Sequence, residues 1–128
     1  MLDTLNIRNT YERYHAHVYF NEETKLIAKE LCELSNSKFG LKVGNFHEKL
    51  VGPHPMWSCQ ISVDAKDFDT FIPWLDENRQ GLTIFIHALS GDNMYDHTEL
   101  TAWLGEEVPL NLDFFIQLEK ERAAQKAQ

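Results

Sequence analysis

The chain has 128 residues and a formal net charge of −8, from 12 Lys and Arg against 20 Asp and Glu. That is material for one domain with its own core, held without disulfides or a structural metal, and its acidity offers DNA or RNA no basic footprint. No stretch approaches the roughly 20 apolar residues that cross a bilayer, and the opening MLDTLNIRNT lacks a positive region followed by an apolar run. A cytoplasmic protein is expected, with neither nucleic acid nor membrane as partner.

Arg13 to Phe20 alternates: Tyr14, Ala16, Val18 and Phe20 share one face, His15, His17 and Tyr19 the other, which predicts a strand. Asn21 can cap a helix in which Ile27, Leu31 and Leu34 recur, stopping at Ser35-Asn36-Ser37. Leu41 to about His47 reads as a second strand interrupted by Gly44. The turn that follows carries Gly52-Pro53-His54-Pro55, where two prolines each fix φ and remove a donor, leaving a stiff, aimed histidine.

A third strand is predicted from Pro55 to Val63, with Trp57, Cys59, Ile61 and Val63 on its apolar face. Asp64 to Asn78 carries Phe68, Phe71, Ile72 and Leu75 at helical spacing, although Pro73 must distort this helix or lie near its first turn. Gly81 ends it. Leu82 to His87 is a fourth strand, with Thr83, Phe85 and His87 opposite Leu82, Ile84 and Ile86. Beyond it come a Ser90-Gly91-Asp92-Asn93 turn, a short helix over Asp96 to Leu104, a break at Pro109 and a helix over about 113–126 with a polar, fraying end. Asp96 with Glu99 resembles a capping box at the short helix's start. Cys32 and Cys59 occupy apolar helix and strand positions without a CxxC spacing, as buried thiols of a reducing compartment do.

The order β-α-β-β-α-β predicts an α+β, ferredoxin-like sandwich: one antiparallel sheet with helices on one face, plus a C-terminal helical extension. The whole of 1–128 is read as a single domain with its core over about 11–105. With strands one and three taken as central and parallel, and strand four antiparallel beside strand one, His15, His54 and His87 gather at one edge of the uncovered face. His17 follows two residues along. Imidazoles held on strands suit iron, zinc, copper or nickel. The plainer alternative is that some of the six histidines share a face by chance, each solvated or hydrogen-bonded.

Other candidates are weaker. His47 and Glu48 precede the Gly52 turn and approach the site's edge as substrate contacts, with a solvated hairpin as the alternative. Glu48 is the best carboxylate to complete a metal site. His97 is a further substrate contact, and Trp57, Trp74 and Trp103 read as packing. Arg13, Lys49 and Arg79 are candidate cationic clamps, though each suits plain surface solvation. Phe85 and Met56 on the open face suit a homodimer contact.

The stretches YHAHVYF, FHEKLVGPHPMWS, NRQGLTIFIHALSGD and DHTELTAWLG together resemble the small DOPA dioxygenase family of fungi and bacteria, from about Tyr14 to Gly105. Ala88 departs from the proline expected after His87, which bears on that loop's geometry. The resemblance implies extradiol opening of a catechol such as DOPA by O2 at non-haem Fe(II). His15, His54 and His87 would be the metal ligands, and His17 a further ligand or the acid/base. Residue types alone equally permit zinc or another divalent metal. Two alternatives remain: a metal-dependent lyase or hydrolase on the same scaffold, and a non-catalytic dimer that binds a small ligand.

Overall fold

A computed structural model describes residues 9–126. Most of the leader reading, on residues 1–8, and the last two residues of the fraying tail lie outside that range. Five strands, β1 (Arg13–Phe20), β2 (Lys42–His47), β3 (Trp57–Asp64), β4 (Ile84–Ala88) and β5 (Thr101–Leu104), form one sheet in the order β2-β3-β1-β4-β5. Every neighbouring pair is antiparallel. The helices are α1 (Lys25–Phe39), α2 (Ala65–Asn78), α3 (Asn93–Thr98) and α4 (Asp113–Lys126). No helix among the described residues is long and apolar enough to cross a membrane.

Strand alternation divides the molecule in two. Tyr14, Ala16, Val18 and Phe20 of β1, Cys59, Ile61 and Val63 of β3, and Ile84 and Ile86 of β4 face α1 and α2. There they meet Ala28, Leu31, Phe68, Phe71, Ile72 and Leu75 in one buried cluster. Burying a side chain of this size contributes about 1.5–3 kcal/mol, so this face carries most of the fold's stability. On the reverse face the same strands set out His15, His17, Tyr19, Ser58, Gln60, Phe85 and His87, in register with Thr101 and Trp103 of β5.

Several local expectations are corrected. β1 and β3 are antiparallel, not parallel: Arg13 lies opposite Asp64 and Phe20 opposite Trp57. The α1 crossover brings β2 back in the direction of β1, and the β2–β3 connection then reverses the chain. The start of β3 therefore lies at the far end of β1 from His15. Asp96 to Leu104 is not one helix either, since α3 stops at Thr98 and Thr101–Leu104 pairs with β4, setting Phe85 opposite Trp103 and His87 opposite Thr101. Thr and Trp are at home on a pleated, half-buried surface.

Asp92 caps α3 by accepting from the Tyr95 N–H at 3.1 Å. Asp96 is buried within that helix and accepts instead from the Ser90 N–H and hydroxyl, so the Asp96–Glu99 capping box does not form. α1 passes through Ser35-Asn36-Ser37, and the buried Ser35 satisfies its hydroxyl by turning it back to the Leu31 carbonyl at 2.8 Å. It stops only at Gly40, in left-handed geometry with φ 69°. Asn21 organises the turn before α1, accepting from the Glu23 and Thr24 N–H groups, while Thr24 is the capping position. Pro73 stands inside α2, away from its first turn.

Candidate metal centre

β1 and β4 are neighbours with His15 directly opposite His87 and His17 opposite Phe85. That register, with the two-residue repeat along β1, brings His15, His17 and His87 together. Each offers a ligand atom, and all three atoms lie within 4.8 Å of one another. His17 Nε2 and His87 Nε2 are 3.0 Å apart. Two imidazole nitrogens each about 2.1 Å from an ion, at a right angle across it, would be about 3.0 Å apart, so the pair already has the spacing of two ligands of one ion.

The surroundings orient these rings. His87 Nδ1 lies 3.0 Å from the Ala88 carbonyl. A carbonyl only accepts, so Nδ1 carries the hydrogen and Nε2 keeps the lone pair that faces His17. Gln60 places its side-chain amide 3.3 Å from His15 Nε2. Ala88, where a proline was expected, keeps a backbone N–H that proline would lack, and it donates to Leu100 O at 3.0 Å.

His54 reaches the same cluster from the opposite end of the sheet. The Gly52-Pro53-His54-Pro55 turn folds back over the open face, where His54 packs on His17 with ring centroids 4.1 Å apart. Its Nδ1 lies 2.8 Å from the Tyr19 hydroxyl. The turn is itself held, because Asn111 N–H donates to the Pro53 carbonyl at 2.8 Å. Gly52 takes φ 58°, a conformation open to glycine at little cost. The compact trio thus contains His17, and His54 stands beside it.

His97 completes the group from α3. Its Nδ1 donates to the Asn93 carbonyl at 2.7 Å, its ring lies 4.0 Å from that of His87, and Phe115 of α4 packs 4.6 Å away on the other ring contact. His47 sits on the site face opposite Ser58 and is near enough to help lower the pKa of His54. Glu48 goes elsewhere, pairing with Lys25 Nζ at 3.2 Å near the surface. Among the described residues no carboxylate joins the trio.

Electrostatics keep these rings neutral. Burial, then the neighbouring imidazoles, push His87 down to about 3 and His54 to about 4 from the usual 6.5. Burial first and four neighbouring histidines next hold His17 well below its ordinary value, and burial lowers His15 and His97 too. Near neutral pH each ring therefore has one N–H and one lone pair. Burial raises the pKa of Tyr19, so its phenol keeps its proton.

One opening matters for access. His15 is the least buried of the trio and lines a cleft of about 520 Å3 at the end of the sheet, together with Arg13, Lys42 and Ser62. Of the suggested clamps, Arg13 thus reaches the site's margin, whereas Arg79 is occupied by Asp76 and the Leu82 carbonyl. Tyr19, Gln60 and Phe115 had no role in the sequence reading. The alternation of β1 and β3 places Tyr19 and Gln60 on the correct face, but Phe114, Phe115, Ile116 and Leu118 crowd the start of α4 without a pattern that singles out Phe115 or shows where it docks.

The chain matches the Dopa 4,5-dioxygenase family over residues 14–114. An uncharacterized 21.2 kDa protein of Botryotinia fuckeliana is 32% identical over 127 residues, covering 92% of this chain and 69% of its own length. The DOPA 4,5-dioxygenase of Amanita muscaria is 30% identical over 110 residues, 79% of this chain, so that the chain spans 48% of that protein's length. In three dimensions it resembles the crystal structure of a Nostoc punctiforme protein assigned as a dioxygenase, with a TM-score of 0.82 and 36% identity over 84% of this chain and 94% of that one. The family match runs from Tyr14 in β1 to Phe114 at the start of α4 and takes in every histidine of the cluster, and this chain belongs to the Dopa 4,5-dioxygenase family.

Proposed function

We propose that this chain is an extradiol-type dioxygenase that opens the ring of a catechol with O2, using a non-haem Fe(II) held by His15, His17 and His87. The observation that carries the reading is the trio itself, three neutral imidazoles with ligand atoms within 4.8 Å on a dioxygenase-family fold. Fe(II), when bound, supplies open positions for catechol and O2 and lowers the pKa of the catechol hydroxyls. Three neutral ligands leave a divalent ion's charge uncancelled, which favours a deprotonated catechol as the partner. The familiar alternative of two histidines and a carboxylate would cancel part of that charge.

The chain's own groups do the rest. Phe85, Trp103, His97 and Phe115 form an aromatic wall beside the trio, with Phe85 and Trp103 ring centroids 4.7 Å apart, suited to a flat ring. His54 is the acid/base. The Tyr19 hydroxyl can donate to its Nδ1 or accept from it, so His54 can present either an N–H or a lone pair at Nε2 without losing its anchor. Arg13, Lys42 and Lys66 line the cleft leading to His15 together with Asp64 and Asp67, a mixed-charge rim that offers the carboxylate and the ammonium of an amino-acid catechol such as DOPA one partner each.

The test is anaerobic loading with Fe(II), followed by oxygen uptake and absorbance with a panel of catechols. Stoichiometric iron, oxygen consumption and a yellow ring-opened product are expected. An iron-loaded sample that consumes no oxygen with any catechol of the panel would overturn the reading. Turnover with zinc in the absence of oxygen would favour a lyase or hydrolase on the same histidines.

A further inference from the structure

The two cysteines lie on the helix-covered side of the sheet, away from the histidines. Cys32 projects from α1 and Cys59 from β3, and both belong to the buried apolar cluster. They are not sealed in. Both line a groove of about 340 Å3 where α1 crosses the edge strand β2, with Val43, Gly44, Phe46 and Lys29 along its walls. At this point β2 slips its pairing with β3 between Val43 and Phe46, and the Cys59 thiol turns toward the Gly44 carbonyl at 3.7 Å. An ordinary core cysteine is inert because nothing reaches it; here an irregular edge strand leaves a path to two adjacent thiols.

We propose that Cys32 and Cys59 are a redox-active dithiol, oxidised through this groove to an intramolecular disulfide by a peroxide or a low-molecular-weight disulfide. The thiols are neighbours along this one groove. Their proximity lowers the pKa of Cys59 against the effect of burial, and raises that of Cys32. Cys59, whose thiol turns toward Gly44 where the edge strand slips its register, is assigned as the attacking sulfur and Cys32 as the resolving one. With hydrogen peroxide, the Cys59 thiolate displaces hydroxide from one peroxide oxygen and becomes a sulfenic acid. Cys32 then attacks that sulfur and releases the second oxygen as water. The balance is two thiols and one peroxide giving one disulfide and two waters. With a small disulfide, Cys59 forms a mixed disulfide and Cys32 expels the second small thiol.

The bridge would tie α1 to β3 across the whole of the intervening chain. That segment carries β2, His47 and the turn that presents His54, so oxidation closes a covalent loop around one wall of the histidine site. Because the thiols lie on the other face, the inference does not depend on the metal reading.

The experiment treats the folded full chain with hydrogen peroxide and, separately, with glutathione disulfide, followed by intact mass and non-reducing peptide mapping. Both thiols should disappear together. The mass should fall by two hydrogens, the Cys32 and Cys59 peptides should be joined, and dithiothreitol should reverse all of this. The oxidised protein should also melt at a higher temperature. Cys32→Ser with glutathione disulfide should stop at a glutathione adduct on Cys59. Oxidised acids or a persistent single adduct on the native chain, or no reaction until the protein is unfolded, would each overturn the proposal, whether or not the Cys32→Ser protein folds.

Discussion

The two faces of this sheet are made by the same strands and do different work. On one, Tyr14, Ala16 and Val18 are buried against α1 and α2 in a largely apolar cluster, with the Tyr14 hydroxyl bonded to Asn9 at its margin. On the other, His15, His17 and Tyr19 alternate with them and meet His54, His87 and His97. A one-residue slip in β1 would exchange the two sets, so the core that stabilises the fold also determines where the imidazoles point. The division also implies that damage should separate: a change on the apolar face should unfold the protein, and one on the histidine face should disarm it.

The sharpest break in that contrast is loss of a trio member. His87→Ala should lower iron affinity and ring-opening activity by more than about a hundredfold, since removing even a supporting partner of a ligand commonly costs about 10–100-fold, while circular dichroism stays native. Iron content equal to wild type after gel filtration would show that His87 is not a ligand. Phe71→Ala on the other face should behave in reverse. Phe71 is fully buried, and its truncation should cost about 3–5 kcal/mol, read as a lower denaturation midpoint, with iron stoichiometry unchanged in the fraction that folds.

A third expectation concerns pH. His54 and His87 titrate at about 4 and about 3 in the folded chain, against about 6.5 when unfolded. Between those values the unfolded chain binds more protons than the native one, so stability falls as pH falls. The contribution of the neutral rings is whole above about pH 6.5 and declines by about 1.4 kcal/mol per pH unit for each ring toward pH 4. Metal-free protein should therefore melt at steadily lower temperatures from pH 6.5 to 4, with a shallower decline in His54→Gln. A flat profile would mean that these imidazoles are not buried as described.

Much of this was legible from period-two alternation, because strand parity depends only on local spacing. It put His15, His17 and His87 on one face and Cys59, Ile61 and Val63 on the other. What alternation cannot supply is the direction of a strand relative to its neighbours, a property of the crossover and the hairpin together. His54 was accordingly assigned to the wrong end of the sheet, though to the right neighbourhood, since the turn that holds it folds back. β5 was missed because four residues are too few to show a period and their partner, β4, is distant in sequence. Phe115 reaches His97 through a docked helix, a contact with no local pattern.

Tyr19→Phe tests the boundary between the two faces, since Tyr19 is buried like a core residue yet bonds to His54. Removing its hydroxyl frees His54 to rotate without touching the trio. Turnover should fall about tenfold to a hundredfold, as for an acid/base that has lost its aim, with iron content and KM near wild type. A large change in iron content would instead place Tyr19 in support of the trio.

The smallest effect is expected at Glu48, the residue whose sequence position made it the best carboxylate for the metal. Its side chain is half-exposed and shares Lys25 Nζ with Glu22, at 3.2 and 3.1 Å. Solvent-exposed pairs of this kind contribute little to stability. Glu48→Gln should therefore leave iron stoichiometry, turnover and the oxygen-to-product ratio unchanged within error, with a denaturation midpoint close to wild type. A loss of iron in this variant would mean that the carboxylate leaves Lys25 and swings to the histidines when the ion binds, making the centre a mixed imidazole and carboxylate site. The all-imidazole centre, and the charge argument for an anionic catechol that rests on it, would then fall together.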